Sequence, residues 1–252
     1  MPSAGSGFSL YGDVPGAGAP SGLVGVSHSA VDLTTGRIEL VHPRDALEQI
    51  YEQNFGWGGT EPPYWAQPWP SGIELADAVA RANLTGARVL ELGCGLALPS
   101  LAAAQGGARV LATDHAPGAL AFAAHNARRN GLRLEVAQCD WSDPWSAIAG
   151  APWDLVLAAD VLYLHDGLDA LGALLPRLVL GSGEVWLADQ GRPPARDFLA
   201  SCERWSTVST SGTAHPEVSL HRLRRRLTTT PTEGSSSTVS TARTVAPSST
   251  PS

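Results

Sequence analysis

The chain has 252 residues, 43% hydrophobic and 16% charged, with 27 glycines and 19 prolines, enough for one large domain or two small ones and for a core that needs no disulfide or metal staple. All 17 basic residues are arginine, and 24 Asp plus Glu leave a formal net charge of -7, so no global positive field recruits nucleic acid. Cys94, Cys139 and Cys202 lie far apart without a CxxC pair, no apolar run reaches the length of a membrane span, and the first residues lack a signal-peptide pattern; a cytoplasmic protein without disulfide, metal or membrane is expected.

Residues 1–22 are mostly Gly, Pro, Ser and Ala, and residues 228–252 are rich in Thr, Ser and Pro. Neither segment can bury enough apolar surface to offset its ordering entropy, and both are expected to be disordered. Between them, residues 23–227 form one domain, expected to be monomeric. Alternation about Thr34, Thr35 and Gly36 predicts a hairpin over 31–41, an N-terminal attachment to the main fold, and Pro43 to Asn54 reads as a short helix. A loop rich in Gly, Pro and Trp leads into a helix over 73–83, whose Ile73, Leu75, Ala76, Val79 and Ala80 share a face and which Gly86 ends.

From there strands over 87–92, 108–114, 132–140, 153–160 and 183–190 alternate with helices over 96–106, 116–131, 167–181 and 194–205. Two further strands follow near 206–210 and 218–226. The last, with its run of arginines, is expected to be an edge strand protected by charge. Strands separated by such helices predict right-handed crossovers and an α/β, Rossmann-like, doubly wound sheet of seven strands, mostly parallel with an antiparallel last strand.

In such a sheet a ligand lies beyond the carboxyl ends of the strands, so the turn after the first of the alternating strands is where chemistry is sought. That turn reads Glu91-Leu92-Gly93-Cys94-Gly95-Leu96-Ala97. Gly93 and Gly95 permit a tight turn and close approach to a ligand. Asp114 ends the next strand, at the distance where an acid meets a ribose diol. A dinucleotide fingerprint needs glycine at position 98, where the chain has Leu98, and Glu91 would repel a pyrophosphate. Both acids instead suit a ligand with positive charge and no phosphate, such as S-adenosylmethionine with its ammonium and sulfonium.

Four segments carry a resemblance. They are Trp69-Pro70-Ser71-Gly72 with Leu75, then Val89-Leu90-Glu91-Leu92-Gly93-Cys94-Gly95, then Cys139-Asp140-Trp141, and lastly Ala159-Asp160-Val161-Leu162-Tyr163, a DxxY motif. Together they resemble the class I S-adenosylmethionine-dependent methyltransferases over roughly residues 64 to 200. Within that class they are similar to the seven-β-strand group of protein lysine methyltransferases and nicotinamide N-methyltransferases. One departure is Ala97, where that group usually has a third glycine; its methyl is expected to loosen or reposition the methionine end of the cofactor.

The resemblance implies that Trp69, Glu91, Gly93, Gly95, Asp114, Asp140, Trp141 and Ala159 surround S-adenosyl-L-methionine, with Trp141 near the adenine and Asp140 accepting its amino group. Trp69 and, less centrally, Trp65 would belong to a lid. The catalytic pair it implies is Asp160 and Tyr163. An aromatic wall of Trp69 and Tyr163 would desolvate an ammonium acceptor, and Asp160 would accept one of its N–H bonds. The expected activity is N-methylation of a lysine side chain in a partner protein. The alternatives are a small amine of the nicotinamide type as acceptor, or a non-catalytic cofactor-binding module.

Overall fold

The computed structural model describes residues 8–9, 23–44, 63–163 and 167–226. Both terminal segments expected to be disordered therefore lie almost wholly outside the described residues, as does the helix expected over Pro43–Asn54 beyond residue 44. Two short strands, β1 (Phe8–Ser9) and β2 (Leu23–Val24), pair antiparallel. The expected hairpin is β3 (Val26–Leu33) and β4 (Gly36–Pro43), joined at Thr34 and Thr35.

The main sheet is built from β5 (Arg88–Leu92), β6 (Arg109–Asp114), β7 (Glu135–Gln138), β8 (Trp153–Ala159), β9 (Val179–Asp189), β10 (Ser206–Gly212) and β11 (Ser219–Arg225). Their spatial order is β10-β11-β9-β8-β5-β6-β7. Neighbours from β9 to β7 are parallel, while β11 is antiparallel to both β9 and β10. The helices are α1 (Pro70–Ala80), α2 (Leu98–Gln105), α3 (Pro117–Arg129), α4 (Trp145–Ala149), α5 (Leu168–Leu178) and α6 (Pro193–Cys202).

Strands covered on both faces read as continuous apolar runs, which is why they stand out in the sequence. On β5, Val89 joins Leu155 and Leu157 of β8 beneath Leu75 and Val79 of α1 and Leu101 of α2. Leu90 and Leu92 point the other way, with Val156 and Ala158, against Leu171, Leu174 and Leu175 of α5 and Phe198 of α6. The hairpin extends the first of these two cores, and its Ile38 and Leu40 are fully buried there.

Two asparagines one turn apart, Asn126 in α3 and Asn130 just past its end, bind the hairpin. Asn126, fully buried, accepts the Val41 N–H at 2.8 Å and donates to the Val41 carbonyl at 3.2 Å. Asn130 accepts the Glu39 N–H at 2.9 Å and donates to the Glu39 carbonyl at 2.8 Å. The edge of β4 is thus satisfied by side-chain amides instead of another strand, which closes an edge open to pairing.

Several expectations change. The helix at residue 70 starts one turn earlier than its apolar pattern, since Pro70 is favoured at a first helical position, and it ends at Ala80, with Gly86 in the following loop. The third strand of the alternation is trimmed to 135–138, and α4 was not anticipated. Val179, expected within a helix, instead opens a strand of 11 residues.

The arginine-rich β11 is not an edge strand; β10 is. Apolar content decides between them. Leu220 and Leu223 of β11 are both buried, whereas β10 is mostly Ser and Thr and exposed after its first residues. The arginines act across the strand pair: Arg222 lies 4.3 Å over the Trp186 ring, and Arg224 pairs with Glu184 at 2.8 Å, each opposite its register partner on β9.

Candidate active site

A cavity opens beyond the carboxyl ends of β5, β6 and β8. Its wall includes Trp69, Glu91, Gly93, Gly95, Asp114, Trp141, Ala159, Asp160 and Tyr163. Nine of the ten residues singled out from sequence therefore converge on one space. Asp140 does not line it: its carboxylate is exposed and accepts the N–H and O–H of Ser142 at 2.8 and 2.7 Å, bonds that hold its pKa below the usual value.

Glu91 leaves β5 with its carboxyl at the N-terminus of α2, where it accepts the Ser100 N–H at 2.9 Å. Burial is the main cause that pushes its pKa from 4.5 to about 8; the bonds to Ser100 pull the other way and the nearby Asp114 charge adds to the rise. Asp114 accepts the Gly95 N–H and the Ala116 N–H, both at 2.9 Å. Burial still raises its pKa despite these two bonds. Two buried acids, neither fully compensated, mark a place prepared for positive charge and hydrogen-bond donors.

The turn between them is left-handed at Gly93 (φ +64) and Gly95 (φ +51). A side chain at 93 would meet Val161 and Trp141, and one at 95 would lie 2.9 Å from the Trp65 carbonyl oxygen. Gly95 thus makes room for protein backbone. Gly118 does the same for the Trp65 ring, which also packs on Phe122 at 5.8 Å between centroids. Trp65 is a wedge between the turn and α3, a role invisible until these glycines meet in space. Trp69 is fixed beside it by its indole N–H, which donates to the Tyr64 carbonyl at 2.7 Å.

Ala97 also adopts the left-handed conformation (φ 63, ψ 30). It is fully buried in a small cluster with Cys94, Ala112, Leu120 and Ala123 and also lines the cavity, at the place where its methyl is expected to bear on the cofactor. The price is a backbone strain of about 1–2 kcal/mol that glycine would not carry.

On the far side, Asp160 follows β8, also left-handed (φ 54) and buried. Its carboxylate accepts a hydrogen bond from Gln190 at 2.9 Å and an ion-paired one from Arg192. Neither partner was singled out from sequence; each comes from the loop after β9, some 30 residues downstream. Tyr163 meets Tyr64 edge to face at 5.5 Å, so the acceptor end has more aromatic wall than the sequence suggested. All three cysteines are free and buried, and burial raises each thiol pKa. Among the described residues no group of His, Cys, Asp or Glu is placed to hold a metal ion.

A family model described as lysine methyltransferase matches residues 66–205, more than half of the chain. The chain belongs to that family. Family membership makes it a methyltransferase with S-adenosyl-L-methionine as methyl donor. Histone-arginine methyltransferase METTL23 of Homo sapiens is 34% identical over 145 residues, 54% of this chain and 76% of that protein. Protein N-lysine methyltransferase METTL21A of Danio rerio is 33% identical over 127 residues, 48% of this chain and 58% of that one. The electron transfer flavoprotein beta subunit lysine methyltransferase of Xenopus laevis is 33% identical over 160 residues, 62% of this chain and 63% of that one. The last two are therefore matched over less than two thirds of their length. Among solved structures, the T. thermophilus 16S rRNA methyltransferase RsmC, in complex with AdoMet and guanosine, superposes with a TM-score of 0.61 at 16% identity. That match covers 82% of this chain and 52% of RsmC, a likeness of fold.

Proposed function

We propose that this methyltransferase transfers a methyl group to a lysine side chain of another protein. The observation that carries the reading is the pairing, across one cavity, of two buried acids on β5 and β6 with an aromatic-walled carboxylate after β8. The lysine acceptors named for the Danio rerio and Xenopus laevis relatives support it. Three reduced, buried cysteines fit a reducing cytoplasm, and no helix among the described residues is long and apolar enough to cross a membrane.

Bound in the cavity, S-adenosylmethionine supplies a methyl group on a sulfonium centre. Glu91 and Asp114 provide acceptors suited to its ammonium and ribose hydroxyls, and Gly93 and Gly95 keep the turn between them low. Trp69 and Trp141 offer apolar wall. Tyr64 and Tyr163 exclude water from the acceptor nitrogen, and desolvation lowers the pKa of an ammonium, freeing the lone pair that must attack. Asp160 orients that nitrogen by accepting an N–H bond.

The test is incubation with labelled cofactor and cell-lysate fractions, separating proteins from small molecules and sequencing the labelled sites. The chain contains no lysine, so every methyl-lysine recovered belongs to another protein. Label on protein lysines is the expected result. Label on arginines, the acceptor named for the Homo sapiens relative, or on nicotinamide-like small amines alone would replace this reading.

The pKa of Glu91 gives a second test. Its folded-state value is raised, so its contribution to stability is complete below pH 4.5 and is lost as pH rises through about 8. A cation held against it favours the ionised form, and binding near neutrality then releases a proton. Affinity for S-adenosylhomocysteine should rise up to about tenfold per pH unit between about pH 6 and 7.5. It should level off above about pH 8, where Glu91 is already ionised in the free chain and no proton remains to be released. Calorimetry in two buffers of different ionisation enthalpy reads the released proton, and Glu91→Gln should abolish it. An affinity flat across this window would remove Glu91 from the cation's side.

A further inference from the structure

Asp160 is restrained on every side. Its N–H donates to the Ala188 carbonyl at 2.9 Å, and its two carboxylate oxygens are taken separately by Gln190 and Arg192. The Asp160 side chain is buried, with 7% exposure, while the Arg192 side chain is 32% exposed, so the positive partner is the more solvent-facing of the pair. Asp189, within electrostatic reach of both, is buried and accepts the Gly191 N–H at 2.7 Å, with His221 of β11 beyond it. From the cavity, Glu91, Asp114, His115, Tyr64 and Tyr163 face the same space.

A lone buried carboxylate in an acceptor pocket is a hazard for an amine methyltransferase. It attracts the ammonium form and stabilises the proton that must leave before the nitrogen can attack, so tight binding is gained where it lowers turnover. A guanidinium already paired with that carboxylate cancels most of its field. It leaves the remaining oxygen lone pairs free to accept an N–H bond.

We propose that Arg192 is a positioning residue that sets the charge state of the acceptor: by balancing Asp160, it makes the pocket take the amine neutral instead of as an ammonium ion. Gln190 has the complementary task of fixing the second oxygen, so that Asp160 presents a defined direction. The inference rests on the reading of an amine acceptor beside Asp160. It adds to that reading a specificity determinant drawn from the loop after β9.

The test uses the full chain saturated with S-adenosylhomocysteine and n-butylamine, an analogue of the lysine side chain, titrated at pH 7 and at pH 9.5. The free amine has a pKa of about 10.4, so the cation dominates at pH 7. The wild type should bind butylamine more tightly at the higher pH. Arg192→Gln, and independently Arg192→Met, should bind it about tenfold more tightly than the wild type at pH 7, because the unbalanced carboxylate now holds the cation.

On a protein that the wild type labels, the same variants should lower KM and kcat together and move the pH midpoint of kcat upward by about one unit. Arg192→Lys should restore the wild-type midpoint. A merely structural role would lower kcat at every pH and leave the midpoint and the butylamine affinity unmoved, which overturns the inference alone. Unchanged binding of S-adenosylhomocysteine shows that a variant is folded. A wild type that labels no amine in any fraction overturns the acceptor reading and this inference with it.

Discussion

Gly95→Ala should weaken binding of S-adenosylhomocysteine by two orders of magnitude or more while costing roughly 2–4 kcal/mol of stability. The position has φ +51, and the added carbon would lie 2.9 Å from the Trp65 carbonyl oxygen. That oxygen is backbone and cannot rotate away, so either the turn or the Trp65 segment has to move. Both form the cavity wall. Gly93→Ala is the control for backbone strain, since φ is +64 there but the nearest atom is the end of the Val161 side chain at 3.0 Å, which can yield. The expected ranking is a large loss at 95 and a smaller one at 93, read by calorimetry and thermal melting. Equal losses would mean that left-handed strain alone matters; near-normal binding by Gly95→Ala would refute the wedge role of Trp65.

Asp114→Ala should separate affinity from stability. In the free chain the carboxylate accepts two backbone N–H groups, yet burial still raises its pKa, so its charge is not fully compensated. Losing it costs two hydrogen bonds but also removes a desolvation penalty, and the melting temperature should fall only modestly. Affinity for S-adenosylhomocysteine should drop by about 10- to 100-fold, the loss of a charge-assisted bond to a hydroxyl. Asp114→Asn offers no gentle alternative, because its amide N–H₂ would confront either Gly95 or Ala116 with donor facing donor. A collapse of stability with little change in the affinity of the remaining folded protein would assign Asp114 to the turn alone.

The parts of this molecule that could be read in advance are those whose residues are neighbours in the chain. Glu91, Gly93 and Gly95 fall within five positions, and Asp114 is one crossover away, a separation the parallel sheet fixes. The strands announced themselves because burial on both faces demands unbroken apolar runs. What escaped depends on distance in sequence. The order of β10 and β11 reverses their order in the chain, and it was set by which strand carries leucine, a comparison that the conspicuous arginines obscured. Arg192 and Gln190 carry no local pattern that ties them to Asp160; only the parallel pairing of β8 and β9 brings the two strand ends together. Ala97 shows the converse: a departure from the motif that is legible in the sequence proves to be both packed in a small buried cluster and part of the cavity wall.

The hairpin's attachment has a consequence for how this architecture can diversify. Asn126 and Asn130 grip β4 by the peptide groups of Val41 and Glu39, never by their side chains. Such a latch reads the path of a chain and ignores its spelling, asking only that an extended segment arrive in register. Glu39 adds a side-chain ion pair to Arg129 of the same helix at 2.7 Å, but the latch itself is made to backbone, so a change of outward side chains would leave its four hydrogen bonds in place. Two asparagines one turn apart thus make a socket that would hold an extended ribbon with other outward side chains while the cavity beyond keeps its walls.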